Sequence, residues 1–172
     1  MIRIRVSGVE EAIQHIDRIY NSLLSKQKLM LEKLAAIGVE TAAIKFTFAQ
    51  YDGVNDVEVS EPEWVDDNKL QIVASGNAVG FIEFGTGVHY GEIHPKANEF
   101  GAIRGGYGQH KGLRDSWGYY GDPGTNGKEV TKKDGRVVVI THGNPPARAM
   151  YDAGKEMRNK IREIAKEVYG ND

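Results

Sequence analysis

Apolar residues recur every three or four positions through the first third of the chain. The positions that follow this period are Ile13, Ile16, Tyr20, Leu23, Met30, Leu34, Ile37, Thr41 and Ile44. Such a period, with charged residues between the apolar ones, is typical of an amphipathic helix. Because helices of about 40 residues are uncommon in small domains, we expect one helix over residues 9–24 and a second over residues 27–49.

A second helical pattern lies at the end of the chain. The apolar positions there follow at steps of three or four: Met150, Ala153, Met157, Ile161, Ile164 and Val168. Asn144 is a suitable N-cap, and Pro145 and Pro146 are tolerated in a first turn, where amide hydrogens lack helical partners. We predict a helix that opens at Asn144-Pro145-Pro146 and ends near Gly170, the usual kind of C-terminal stop.

Short strand patterns occupy the rest of the ordered sequence. Alternation of apolar and polar residues predicts strands over residues 2–6, 57–59 and 70–74, and the apolar run at residues 81–84 predicts another. A late hairpin is expected around Asp134-Gly135, which supply the positive φ angles of a tight turn. These elements predict an α+β fold, with a mostly antiparallel sheet packed against long N-terminal helices and one C-terminal helix.

Residues 85–127 differ from the rest of the chain because they hold 12 of its 21 glycines and six aromatic residues. Long connections of this kind in compact domains usually serve binding, and aromatic content argues against plain disorder. We predict an extended arm, inserted between strands, that becomes ordered against a neighbouring protein. Large aromatics dominate interfaces, which makes five of them interface candidates. These candidates are Trp117, Tyr119, Tyr120, Tyr107 and Tyr90.

Composition places the chain among ordinary soluble domains. It has 172 residues, 27% of them charged, and a formal net charge of −2. We therefore expect a single domain over residues 1–172. A net charge this small gives the protein no overall electrostatic potential that would attract nucleic acid. The N-terminus lacks the apolar core of a secretory signal, and no apolar run approaches the length of a membrane span. We expect a protein that starts in the cytoplasm and contacts no membrane.

Candidate catalytic chemistry is weak throughout. Gly85-Thr86-Gly87 does not match a dinucleotide loop, because an amphipathic helix does not follow in the right place. The chain has no cysteine and no nucleophile elbow. Acid pairs such as Glu61 with Glu63 and Asp66 with Asp67 lie in the acidic segment over residues 52–67, which we interpret as a solvated strand edge. We predict no enzymatic activity and no cofactor.

Three potential metal ligands lie within six residues: His89, Glu92 and His94. Imidazole and carboxylate suit zinc, but this segment lacks the fixed spacing of a helical histidine pair. We favour polar surface or interface residues over a metal-dependent hydrolase.

A mixed basic and aromatic composition marks residues 96–136, with eight Lys or Arg against five Asp or Glu. Such a segment can bind single-stranded nucleic acid by stacking and phosphate contact. The net excess of three is small for that role, and the same residue types are enriched in protein interfaces. A protein partner is favoured, with a nucleic-acid-binding accessory domain as the alternative and no specific nucleic-acid binding expected.

Glu83 is an unusual carboxylate because it stands within the apolar run at residues 81–84. It would accept hydrogen bonds from amides of the Gly85 to Gly87 turn, or pair with an arginine, and so fix the start of the arm. The other interpretation is a solvent-exposed strand face.

Three motifs resemble a known family. They are GFIEFGTGVHY at residues 80–90, DSWGYYGDPGTNG at residues 115–127 and THGNPPARAMYDAGKEM at residues 141–157. Together they resemble the minor structural proteins of long-tailed bacteriophages and prophages that complete the tail or join it to the head. In that family an aliphatic-Glu-Phe-Gly-Thr segment ends a strand, and a proline-rich segment opens the last helix. The matching positions here are Glu83, Phe84, Gly85, Thr86, Gly87, Pro145, Pro146, Met150 and Ala153.

The resemblance implies an assembly protein rather than an enzyme. It implies a homo-oligomeric ring, often of six copies, at the head-proximal end of the tail. The implied partners are further copies of the chain, the tail tube or terminator, and head–tail connector proteins. The implied location is the tail or neck of the virion, after assembly in the host cytoplasm.

Overall fold

The computed structural model describes residues 3, 7–87, 90, 94–103 and 114–170. Its elements in chain order are α1 (Val9–Thr47), β1 (Glu58–Val59), β2 (Glu63–Asp66), β3 (Lys69–Gln71), β4 (Ala74–Ser75), α2 (Val79–Phe84), β5 (Trp117–Tyr119), β6 (Lys128–Thr131), β7 (Val137–Thr141) and α3 (Ala149–Tyr169). Two long helices with small antiparallel sheets confirm the α+β class. Residues 2 and 4–6 of the first predicted strand lie outside the described residues.

Helix α1 is continuous over 39 residues, so the prediction of two helices with a break near Ser25 is wrong. The Ser25 hydroxyl donates to the Asn21 carbonyl oxygen at 3.0 Å, one turn back along the same helix. The polar side chain is therefore satisfied within the helix and does not end it.

Helices α1 and α3 pack antiparallel. Lys45 Nζ lies 2.6 Å from Asp152 Oδ2 and Lys33 Nζ lies 2.8 Å from Glu167 Oε1, so the two helices run in opposite directions. Apolar side chains between them form one small core near the end of α3: Leu34, Ile164 and Val168. The larger core joins α1, α2 and the start of α3: Ala42, Phe46, Ala78, Ile82, Ala149 and Ala153.

The strands form three small antiparallel sheets among the described residues, where the sequence predicts one. Their strand orders are β1-β4, β2-β3 and β5-β7-β6. Among the described strands, β7 alone carries a continuous apolar run, with Val138 and Val139 buried, and it is the central strand of the three-stranded sheet. The predicted late hairpin is confirmed as β6–β7, with Gly135 at a φ of 82° in its turn.

Residues 81–84 form the end of α2, so the strand predicted there is wrong, as is the expectation that the Glu-Phe-Gly-Thr segment ends a strand. The Asp56 carboxylate accepts hydrogen bonds from the amides of Asn77 and Ala78, which fixes the chain where the helix begins. Ile82 N then donates to Ala78 O at 2.9 Å, and both side chains face the larger core.

Helix α3 begins at Ala149, five residues after the predicted N-cap at Asn144. The residue at its N-cap is Arg148, in the left-handed region with a φ of 54° and without a side-chain cap. The predicted end at Gly170 is confirmed.

Candidate functional site

The first and third motifs meet in space through Thr86 and Asn144. Thr86 N donates to Asn144 O at 2.9 Å, and Asn144 N donates to Thr86 Oγ1 at 3.2 Å. The Thr86 hydroxyl also donates to Asn144 Oδ1 at 2.6 Å. Asn144 is 2% exposed, so these bonds lie in the interior, where polar groups need partners. Its side chain joins two motifs instead of capping α3.

The end of α2 is bonded directly to the residues that precede α3. Ala147 N donates to Ile82 O at 2.8 Å, and Arg148 N donates to Glu83 O at 3.2 Å. These bonds use carbonyl groups that have no partner within a short helix. The Pro145-Pro146 segment therefore lies along the end of α2, and the first and third motifs form one bonded unit, here called the junction.

Glu83 lies at the centre of the junction and is 7% exposed. Its Oε2 accepts from Met150 N at 3.0 Å, and its Oε1 accepts from Tyr151 N at 3.1 Å. These are the second and third amides of α3, where partial positive charge favours an anion. The carboxylate thus supplies from α2 the cap that Arg148 does not give, and the interpretation of an exposed strand face is wrong.

His94 is the third partner of Glu83. Its Nε2 lies 3.1 Å from Glu83 Oε1, and its Nδ1 lies 3.1 Å from the amide nitrogen of Lys96. Because the amide can only donate, Nδ1 accepts, and the ring proton is on Nε2, pointing to the carboxylate. The ring is 4% exposed and meets Phe84 edge-on at 4.5 Å between centroids.

A glutamate beside a histidine is an acid–base pair in many enzymes. Here the carboxylate accepts from two main-chain amides as well as the histidine, and both ring nitrogens have partners. Both side chains are buried, so neither presents a lone pair to solvent. The geometry makes this pair a structural cap that fixes the position of α3 relative to α2.

The predicted metal ligands divide between described and undescribed parts of the chain. His94 uses both of its nitrogens within the junction. His89 and Glu92 lie outside the described residues. Within the part of the chain that the structure describes, no group of three metal-ligating side chains comes together.

A second buried carboxylate, Asp52, connects the middle motif to the same region. Asn126 N donates to Asp52 Oδ1 at 2.9 Å, and the Thr141 hydroxyl donates to Asp52 Oδ2. Tyr51 and Thr125 exchange main-chain and hydroxyl hydrogen bonds beside it. Asp52 belongs to the segment predicted to be a solvated strand edge, and for this residue the prediction is wrong because it is 8% exposed.

Three of the predicted interface aromatics lie on or beside β5. Trp117 and Tyr119 are half-buried and share a sheet face with Thr141 and Val139, the residues opposite them on β7. The Tyr119 hydroxyl donates to Asp122 O at 2.7 Å, and burial raises the pKa of this tyrosine. Both side chains therefore contribute to the body of the protein.

Tyr120 differs from its neighbours because it is 61% exposed. Lys132 Nζ lies 5.6 Å from its ring centroid, within the range of a cation–π contact. Tyr90 is half-buried, and Tyr107 lies outside the described residues. Of the five candidates, Tyr120 offers the most accessible aromatic surface among the described ones.

Some of the described residues between 85 and 127 pack against the rest of the chain. His94, Ala97 and Ala102 are buried, and residues 117–119 form strand β5 of the largest sheet. The arm as a whole stays a prediction, because residues 88–89, 91–93 and 104–113 lie outside the described residues.

Sequence reasoning singled out Glu83 but missed its partners in α3 and the burial of Asp52. The signal for Glu83 was a carboxylate in an apolar run. Asp52 gave no comparable signal, because its partners Asn126 and Thr141 are 74 and 89 residues away.

Comparison of the chain with protein-family models, curated proteins and solved structures found no match. Among the described helices, none has the length and apolar character needed to cross a bilayer.

Proposed function

We propose that this chain is a structural subunit of a long-tailed bacteriophage or prophage, acting in tail completion or head–tail joining. The observation that carries the proposal is the junction. The two motifs on which the family resemblance depends most meet through Thr86, Asn144 and Glu83, although about 60 residues of chain separate them.

The chemistry of the junction supports an assembly role over a catalytic one. Glu83 and His94 are occupied by main-chain partners and by each other, so they hold α2 and α3 together. A rigid body of this kind suits a ring subunit, which has to present the same surfaces in every copy.

The exposed aromatic Tyr120 is the surface that we assign to partner contact. Aromatic and basic residues together are enriched at protein interfaces, and Lys132 stands beside the Tyr120 ring. The partners would be neighbouring copies in a ring, the tail tube or terminator, and the head–tail connector.

The test is electron microscopy of particles from the phage or induced prophage with this gene deleted. We expect filled heads separated from tails, or tails of uncontrolled length, and rescue by the wild-type gene supplied in trans. Intact, infectious particles would contradict the proposal. Salt-dependent binding of single-stranded DNA by the purified protein, together with normal particles, would instead favour a nucleic-acid-binding domain.

A further inference from the structure

The first half of α1 extends beyond the body of the protein. Residues 9–25 are all exposed, and this stretch is about 25 Å long at the rise of an α-helix. Contacts with the body begin near Lys28, whose Nζ lies 3.5 Å from Asp67 Oδ1 and 5.7 Å from the centroid of the Trp64 ring. Packing against α3 begins only at Met30 and Leu34.

The exposed stretch carries an apolar stripe. Val9, Ile13, Ile16, Tyr20 and Leu23 follow one another at alternating steps of four and three, the heptad spacing of a coiled-coil seam. Ile16 is 63% exposed and Tyr20 is 59% exposed. An apolar helix face of this length in water marks an interaction site, because isolated helices gain most of their stability from packing.

Charge is segregated along the same stretch. Residues 9–17 carry Glu10, Glu11 and Asp17 and no Lys or Arg, whereas residues 18–28 carry Arg18, Lys26 and Lys28 and no acid. A parallel pair of these helices would place like charges side by side. An antiparallel pair places the acidic end of each helix beside the basic end of the other, which is favourable.

The seam is also symmetric about residue 18. In an antiparallel pair centred there, Ile13 lies level with Leu23 of the second copy, and Ile16 lies level with Tyr20 of the second copy. Val9 then reaches the level of Gln27, where contacts with the body begin. The exposed stretch is therefore just long enough to overlap fully before the two bodies meet.

We propose that α1 binds a second copy of this chain, forming an antiparallel two-helix dimer through residues 9–27. The contact is isologous, since each copy offers the same surface to the other. It is inferred from α1 alone and does not depend on the proposed tail function.

The dimer is tested first by sedimentation equilibrium of the full chain over a range of concentrations. We expect a monomer–dimer equilibrium. Ile16→Asp places a charge beside the two-fold axis in each copy and should weaken the dimer by at least about 30-fold, as expected for a central interface residue. The matched control, Gln14→Asp, adds the same charge away from the stripe and should leave the equilibrium unchanged. Circular dichroism and urea unfolding confirm that both variants fold.

The orientation is tested by disulfide formation, which is simple to interpret because the chain has no cysteine. Val9→Cys and Gln27→Cys are made in separate proteins and mixed under mild oxidation. We expect the mixed disulfide between the two variants, and little Val9→Cys homodimer, because two copies of residue 9 lie about 27 Å apart along the antiparallel pair.

Three results would overturn the dimer. They are a monomer at every concentration, an oligomer whose mass Ile16→Asp leaves unchanged, and a dominant disulfide between two Val9→Cys chains, which would show a parallel pair.

Discussion

A buried carboxylate is costly unless donors surround it, and Glu83 has three. Two of them are amides at the start of α3 and the third is the Nε2 proton of His94. His94 is itself fixed by the Lys96 amide at Nδ1. If the carboxylate is removed, the two α3 amides and the Nε2 proton of His94 lose their shared acceptor while they are still buried.

Substitution at Glu83 is expected to destabilise the fold. Glu83→Gln keeps one acceptor oxygen and turns an NH₂ group towards buried donors, so the free energy of unfolding should fall by about 1–3 kcal/mol. Glu83→Ala removes both acceptors and should cost about 3 kcal/mol or more. Urea unfolding measures both losses, with Glu61→Gln at an exposed position as the control. A stability of Glu83→Gln equal to that of the control would remove the structural role assigned to this residue.

Asp56 is expected to make stability depend on acidic pH. Hydrogen bonds from the Asn77 and Ala78 amides hold the pKa of Asp56 below its ordinary value of 3.8. A carboxyl whose pKa is lower in the folded state stabilises the protein above the unfolded-state pKa, and this contribution is lost as pH falls through the folded-state pKa.

The stability difference between wild type and Asp56→Asn should therefore be constant near neutral pH and shrink below about pH 4. Urea unfolding between pH 2.5 and pH 7 measures it. A difference that grows as pH falls would contradict the assigned hydrogen bonds.

At the scale of elements, the junction requires a close approach between the residue after α2 and the residues before α3. Gly85 has a φ of 78°, and a Cβ there would lie 2.7 Å from Pro146 N. Gly135, in the β6–β7 turn, has a nearly equal φ of 82° but open space around it. Gly135 therefore serves as a comparison position with a positive φ but no close contact.

Both Gly85→Ala and Gly135→Ala should lose at least about 1–2 kcal/mol, because an L residue rarely adopts a positive φ. Gly85→Ala should lose about 2 kcal/mol more, because main-chain atoms of the junction have to move. Equal losses in urea unfolding would mean that α2 and the segment before α3 are not held as closely as the structure shows.

Periodicity predicted the elements that are long or have a distinctive turn. The steps from Met150 to Val168 predicted α3, and Asp134-Gly135 predicted the β6–β7 hairpin. The pattern over residues 9–48 predicted helical structure along α1, but as two helices instead of one. Residues 81–84 were misassigned because a four-residue apolar run fits a buried strand and a buried helix equally well. Asn144 was misassigned as a cap because its actual partner, Thr86, lies 58 residues away in sequence.

The candidate site shows the same division between local and long-range information. A carboxylate within an apolar run pointed to Glu83 from the sequence alone. The hydrogen bonds from the α3 amides and from His94 to Glu83 depend on how three separate segments pack. The sequence pattern does not report that packing directly.

Across the whole molecule, some side chains hold the body together and others are available to a partner. Tyr120 is exposed, so Tyr120→Ala should change the free energy of unfolding by no more than about 0.5 kcal/mol while lowering the yield of joined particles in a complementation assay. Trp117 is half-buried in β5, so Trp117→Ala should lower stability as well as yield. Normal particle yield with Tyr120→Ala would exclude this residue from the partner surface.

The central claim is that the chain is a subunit of a phage particle, and the most direct measurement is its content in purified particles. Particles from the phage or induced prophage that encodes the chain are purified and analysed by quantitative mass spectrometry. We expect the chain to be present at a fixed, low copy number relative to the major tail protein, as for a ring at the neck or tail end. Its absence from purified, infectious particles would contradict the claim.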